Sequence, residues 1–265
     1  MTEGKLFFNN SDGMTLCGVL TKPDAPTKKC VILCHGLTGT GKNGEIYNDL
    51  APRLAQAGLV SFMFDFRGHG ESGGGYNDIT ISGEKRDMEA AIGFLKTSGY
   101  SEFGIVAASF GAGPVCLFLR ENQKAVKTVV FWNPILEYKW MFESNLPWTK
   151  ANFGAEAMAR MQRSGFMEVG KFRLKIGQGY VNEMNWLKPL EYMQSLALPV
   201  LFVHGDSDEI VPSDQSEKYL KSFKNASVQI IPGGDHGFHE NRRAAEAAIG
   251  ATQKFLSDNL AAPQI

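Results

Sequence analysis

Short apolar runs alternate with longer amphipathic stretches along most of the chain. Residues 15–20 (Thr-Leu-Cys-Gly-Val-Leu) and 30–34 (Cys-Val-Ile-Leu-Cys) are two such runs. The second is apolar at every position, the pattern of a strand buried on both faces. Residues 45–57 predict a helix that starts or bends near Pro52, with Gly58 placed to end it. Residues 59–65 (Leu-Val-Ser-Phe-Met-Phe-Asp) predict the next strand, and Met88, Ala91, Ile92 and Leu95 then recur at helical spacing. Further strands over 104–108, 127–132, 198–204 and 228–231 are interleaved with helices over 112–122, 213–224 and 240–259. Repeated β–α alternation with continuously apolar strands predicts an α/β chain, with a mostly parallel central sheet covered by helices on both faces.

The interval 133–190 breaks this rhythm. It holds Trp140, Trp148 and Trp186, with Trp132 at its edge, and also Met141, Met158, Met161, Met167 and Met184. Residues 1–132 and 191–265 are accordingly read as one core, and 133–190 as a segment inserted between two of its strands. A run so rich in aromatic and flexible side chains either covers a pocket as a lid (cap) or forms a small core of its own. The two are compatible.

Composition narrows the function classes. The chain has 265 residues, enough for a large core without disulfides or metals. Its 27 Lys and Arg balance 28 Asp and Glu, which leaves no electrostatic footprint for nucleic acid or an anionic membrane. No apolar run reaches spanning length, and the first residues lack a secretory pattern, so a soluble cytoplasmic protein is expected. Cys17, Cys30, Cys34 and Cys116 all lie in apolar runs without metal-ligand spacing, and read as reduced core thiols.

Three segments carry candidate chemistry. Residues 36–43 (Gly-Leu-Thr-Gly-Thr-Gly-Lys-Asn) approach a phosphate-binding loop, with Asp65 in the place of a magnesium-binding carboxylate. The match fails at Asn43, where a hydroxyl is needed to ligate the metal after Lys42. A literal G-x-S-x-G occurs around Ser72, but that serine sits in loop chemistry rather than at a strand-to-helix turn, and is read as a decoy. Ser109 has the right context: the apolar run 103–108 leads straight into it, and Phe110-Gly111-Ala112-Gly113 opens a helix. Its flanks read small-x-Ser-x-Gly, with Ala107 for the first glycine, as a strained nucleophile elbow requires.

A serine nucleophile needs a base, and the base an orienting carboxylate. The strand ending at His204 runs into an acidic turn containing Asp206, Asp208 and Glu209, any of which could serve. The loop after the strand at 228–231 reads Gly233-Gly234-Asp235-His236-Gly237-Phe238-His239. Ser109, an acid of this turn and His236 follow one another in the chain order of the α/β-hydrolase triad.

At these residues the chain resembles the α/β-hydrolase superfamily, and within it the small intracellular feruloyl (cinnamoyl) esterases and lipase-like carboxylesterases. The stretches that carry the resemblance are His35-Gly36, Phe64-Asp65-Phe66-Arg67-Gly68-His69-Gly70-Glu71-Ser72, the Ser109 elbow, the 204–212 turn and the His236 loop. The resemblance implies an α/β-hydrolase fold and selects Asp208, which precedes Glu209-Ile210-Val211-Pro212, as the acid. It leaves Asp206 to shape the turn and His239 as second-choice base. His35 then supports the oxyanion loop, His69 belongs to a structural turn, and His204 is a core or turn histidine. Elbows of the family commonly read Gly-His-Ser-x-Gly, from which Ala107 and Ala108 depart.

The expected activity is hydrolysis of small or medium acyl or aryl esters through an acyl-enzyme, without metal or organic cofactor. Backbone N–H groups of Leu37 and Phe110 would form the oxyanion hole. Acyl thioester or monoacylglycerol hydrolysis is the nearest alternative. An aminopeptidase is a weaker one, because Glu143, Glu156, Glu168 and Glu183 do not cluster in sequence to receive an ammonium. A non-catalytic binding protein on the same fold would have had no need to keep Ser109, Asp208 and His236. A small-molecule ester is the expected partner, and edge strands and an apolar insertion permit a homodimer.

Overall fold

Alternation of side chains across a strand gives β3 (Lys29–Cys34) two apolar faces, and each meets a different layer of helices. The computed structural model describes residues 1–39 and 45–261. Cys30, Ile32 and Cys34 pack with Met88, Ala91, Ile92 and Leu95 of α2 (Ile81–Thr97) and with α3 (Ala112–Asn122). Val31 and Leu33 point the other way, toward Leu50 and Leu54 of α1 (Glu45–Gln56) and toward α10 (Arg242–Ala261). All five of these strand residues are fully buried, and burial of each aliphatic one contributes about 1.5–3 kcal/mol.

Eight of the described strands form one sheet. In chain order they are β1 (Thr2–Asn9), β2 (Thr15–Lys22), β3, β4 (Val60–Phe64), β5 (Glu102–Ala108), β6 (Thr128–Trp132), β9 (Val200–Gly205) and β10 (Ala226–Ile231). Their spatial order is β1-β2-β4-β3-β5-β6-β9-β10. From β4 to β10 every pairing is parallel, while β1–β2 and β2–β4 are antiparallel. The mostly parallel sheet and the helices on both faces agree with the sequence reading.

Three details differ from it. β1 carries no apolar run because only Phe8 is buried in this edge strand, so periodicity had nothing to register. Pro52 lies inside α1, which excludes the helix start expected there as one of two readings and leaves the other, a bend. The helix expected over 213–224 is α9 (Asp214–Leu220), after which Lys221, Ser222 and Phe223 each donate to the carbonyl three residues back. That tighter winding ends the α-helix early.

Between β6 and β9 the chain builds α4 (Tyr138–Glu143), α5 (Pro147–Phe153), α6 (Ala155–Ser164), the hairpin β7 (Phe166–Val169) and β8 (Leu174–Gly177), α7 (Gln178–Trp186) and α8 (Pro189–Tyr192). Met141, Met161, Met167 and Met184 are buried there, together with Phe153 and Tyr180. This cluster also takes in Leu37, Phe110 and Val211 from the core strands' C-terminal loops. Trp186, by contrast, is 60% exposed. The four cysteines are buried and form no disulfide among the described residues, and burial pushes the thiols of Cys30, Cys34 and Cys116 up. No described helix is long and apolar enough to cross a membrane.

Candidate active site

Parallel strands deliver their C-terminal loops to one edge of the sheet, which is where open α/β sheets place ligands. β5 ends there at Ala108, and Ser109 follows with φ of +52° before a short 3₁₀ turn leads into α3. For a residue with a β-carbon the left-handed region costs on the order of 1–3 kcal/mol. The turn is held because its neighbours leave no alternative. A β-carbon on Gly111 would come within 2.2 Å of the His35 carbonyl oxygen, and one on Gly36 within 3.0 Å of Ser109 Cβ. The elbow and the loop after β3 are therefore packed backbone against backbone. Ala107 fits in place of the first elbow glycine, since it is fully buried within β5 between Cys34 and Phe131 of the flanking strands.

The loop after β10 brings His236 to this serine. Its Nε2 lies 2.9 Å from Ser109 Oγ, and its Nδ1 lies 2.7 Å from Asp208 Oδ2. A carboxylate only accepts, so Nδ1 carries the proton and Nε2 is left to accept from the serine hydroxyl. Asp208 follows β9, and its Oδ1 takes the backbone N–H groups of Ile210 and Val211, both at 2.8 Å. Burial alone would raise its carboxyl. The charge of His236 and the hydrogen bonds from His204, His236 and Val211 outweigh that, and hold it well below the usual carboxylate range.

The other residues singled out in the sequence have different surroundings. Asp206 Oδ1 accepts the Gly233 N–H at 2.7 Å, so it ties the acidic turn to the histidine loop, and Glu209 is exposed. His239 is also exposed, and its ring packs against Gly237. His35 donates from Nδ1 to the Gly36 carbonyl at 2.8 Å and accepts the Phe66 N–H at Nε2. Burial, and then the neighbouring His69, push its pKa down to about 3, so it stays neutral and holds that tautomer. His69 is buried with its ring nitrogens 2.9 Å from the Arg67 carbonyl and 2.7 Å from that of Leu37. Two imidazoles thus grip successive carbonyls of the loop beside Ser109. Lys42 and Asn43 of the phosphate-loop-like segment lie outside the described residues. Asp65 is buried, where it accepts the Glu71 N–H.

Ser72 is occupied elsewhere: its hydroxyl donates to the Asp65 carbonyl at 2.6 Å and accepts the Cys17 N–H at 2.9 Å. Ser72→Ala is accordingly expected to leave kcat unchanged while lowering stability by about 1–3 kcal/mol, read from urea unfolding. A large loss of kcat with normal stability would contradict that structural role.

Asn133 is a contributor that sequence patterning did not single out. It is buried, with φ of +43°; its Oδ1 accepts the Gly205 N–H at 3.0 Å and its Nδ2 donates to the Asp235 carbonyl at 3.4 Å. One side chain therefore joins the ends of β6 and β9 to the residue before His236. The signal that could have found it is an asparagine directly after a buried strand, because Asn tolerates left-handed backbone better than most residues.

The family described as "Serine aminopeptidase, S33" matches residues 25–243. A monoacylglycerol lipase of Mycolicibacterium smegmatis is 23% identical, with 89% of this chain and 90% of the lipase covered. The serine hydrolase BPHL of Mus musculus is 22% identical over 79% of this chain and 73% of its own length. Among solved structures, Est1E from Butyrivibrio proteoclasticus with bound ferulic acid superposes with a TM-score of 0.81 at 22% identity, covering 97% of this chain and 100% of that one.

Proposed function

The chain belongs to the serine aminopeptidase S33 family and is an α/β-hydrolase, and from that premise we propose that it cleaves carboxylic esters of small to medium acyl or aryl acids through a Ser109 acyl-enzyme. The observation that carries the proposal is the unbroken chain of hydrogen bonds from Ser109 through His236 to Asp208, with the serine on a left-handed turn at the end of β5.

In the first step His236 Nε2 takes the Ser109 proton as Oγ attacks the acyl carbonyl, and Asp208 stabilises the imidazolium that forms. The backbone N–H groups of Leu37 and Phe110 receive the oxyanion, in a loop whose Gly36 and Leu37 carbonyls are held back by His35 and His69. His236 next protonates the departing alkoxide. It then deprotonates a water that attacks the acyl-enzyme, and the acid leaves as Ser109 regains its proton. The insertion serves as a lid that supplies the apolar side of the acyl site, since its buried cluster is continuous with Leu37 and Phe110.

Recognition of a free amino group, which the family description suggests, has less support. Glu143, Glu156 and Glu168 pair with Lys139, Arg160 and Arg173, while Glu183 accepts the Ser82 N–H. A long-chain monoacylglycerol or an acyl thioester is the second candidate, favoured by the monoacylglycerol lipase relative and the apolar cluster.

The test is a panel of p-nitrophenyl esters of increasing acyl length and a feruloyl ester, set against an acyl thioester, a monoacylglycerol and aminoacyl p-nitroanilides. The expected result is turnover of the esters, with the preferred acyl group reporting the depth of the pocket. Faster turnover of the anilides than of any ester would replace the esterase assignment with a peptidase one.

A further inference from the structure

The carboxylate of Asp208 has a second histidine on its far side. His204, the penultimate residue of β9, has a fully buried side chain, and its Nε2 lies 3.3 Å from Asp208 Oδ2 and 2.8 Å from the Val211 carbonyl. Its Nδ1 lies 2.7 Å from the hydroxyl of Ser216, which is itself fully buried in α9. The carboxylate and the carbonyl only accept, so the ring proton sits on Nε2, and the Ser216 hydroxyl donates to Nδ1. Asp208 Oδ2 thus stands between two imidazoles, each backed by a serine: Ser109 with His236, which is partly exposed, and Ser216 with His204, which is sealed in the core.

We propose that His204, oriented by Ser216, is a positioning residue that holds the Asp208 carboxylate in the plane and rotamer from which it orients His236. The terminal torsion of an aspartate is soft and roughly two-fold. Two backbone N–H groups fix Oδ1, while Oδ2 would have His236 alone without His204, and that ring must stay free to exchange a proton in every cycle. The His204 N–H donates to the Val211 carbonyl, and the Val211 N–H binds Oδ1, so the imidazole beside Oδ2 also holds the carboxylate through Val211. A histidine that merely filled space near the end of β9 would need neither a ring nitrogen 3.3 Å from the Asp208 carboxylate and bonded to the Val211 carbonyl nor a buried hydroxyl to set its tautomer.

The role rests on Ser109 being the nucleophile, and two substitutions isolate it. His204→Gln places an amide N–H near the Nε2 position and keeps a donor for Asp208. His204→Asn places its amide near Nδ1, so it keeps Ser216 and gives up Asp208. Both disturb core packing similarly, and urea unfolding of each measures that disturbance. With p-nitrophenyl acetate, His204→Asn is expected to lose about 10–100-fold in kcat at unchanged KM, the size of effect seen when a supporting partner of a site ligand is removed. His204→Gln is expected to recover most of the loss, and the rate of fluorophosphonate labelling at Ser109 should follow kcat in both variants. Equal losses in the two variants, or wild-type kcat in His204→Asn, would overturn the role.

A second readout needs no turnover. Histidine-selective ¹⁵N NMR of the wild type and of Ser109→Ala should show His204 as the Nε2–H tautomer in both, and an Nδ1–H tautomer overturns the positioning role. Absence of fluorophosphonate labelling in the wild type would overturn the serine hydrolase assignment, and this role with it. Failure of the Asn/Gln contrast in a protein that labels normally overturns the His204 role alone.

Discussion

Ser109→Ala is expected to lower kcat for p-nitrophenyl esters by about 10⁶-fold, the loss found when the nucleophile of a triad is removed. The change deletes the Oγ that stands 2.9 Å from His236 Nε2, and leaves the β-carbon that fits against Gly36. Alanine bears the same left-handed backbone at +52° about as poorly as serine, so the variant should fold, with a urea midpoint near that of the wild type. Residual catalysis from the oxyanion hole and substrate binding, roughly 10³–10⁴ over water, should persist. A fluorophosphonate should add one adduct to the wild-type mass and none to the variant. Turnover that survived the substitution would sink Ser109 as nucleophile and reopen Ser72, whose hydroxyl is committed to Asp65 and Cys17.

The second large effect is expected at Asp208→Asn, at about 10⁴-fold in kcat. An asparagine still accepts the N–H groups of Ile210 and Val211 through its oxygen, but it then turns an amide N–H toward His236 Nδ1. The imidazole would respond by carrying its proton on Nε2, the atom that must accept from Ser109, and no anion would remain to stabilise the imidazolium. Ester turnover and the labelling rate should fall together, whereas Asp206→Asn, at an exposed turn, should cost far less.

Asp208 also ties stability to pH. Its folded carboxyl is held below the usual value, so its contribution is fully present above the unfolded carboxylate pKa of about 3.9. The contribution is lost as pH falls through the lower, folded value. The stability gap between wild type and Asp208→Asn should therefore be constant above about pH 5 and narrow in acid. A gap that widened in acid would contradict the depressed carboxyl.

The central strands were legible because each is apolar without a break. β3, β5 and β6 are covered on both faces, and no soluble loop has a use for such runs. β1 was not legible, because an edge strand that buries only Phe8 has no periodicity to detect. The residues that meet at the sheet's C-terminal edge were findable for a different reason. Strained turns restrict which residues can flank them, so Ala107 and Gly111 pointed to Ser109 from sequence alone. Among three acids in one turn, residue chemistry could not choose. Burial separates them: the Asp208 side chain is fully enclosed, while Asp206 and Glu209 are exposed. Asn133 and the His204–Ser216 pair stayed hidden because their roles depend on contacts between residues 12 to 102 positions apart. Nothing in a local window distinguishes such residues from ordinary core polar groups.

The segment between β6 and β9 leaves the sheet from one strand and returns to the strand beside it. A detour between neighbours can lengthen, shorten or be exchanged without shifting the register of any other pair. Ser109, Asp208 and His236 all lie outside it. On the proposed esterase reading, the molecule would be built like a tool with an interchangeable head, in which descent could rewrite what is gripped while the cutting edge is inherited unchanged. Divergence among homologues should therefore concentrate in this segment, and transplanting it between them should carry substrate preference along with it.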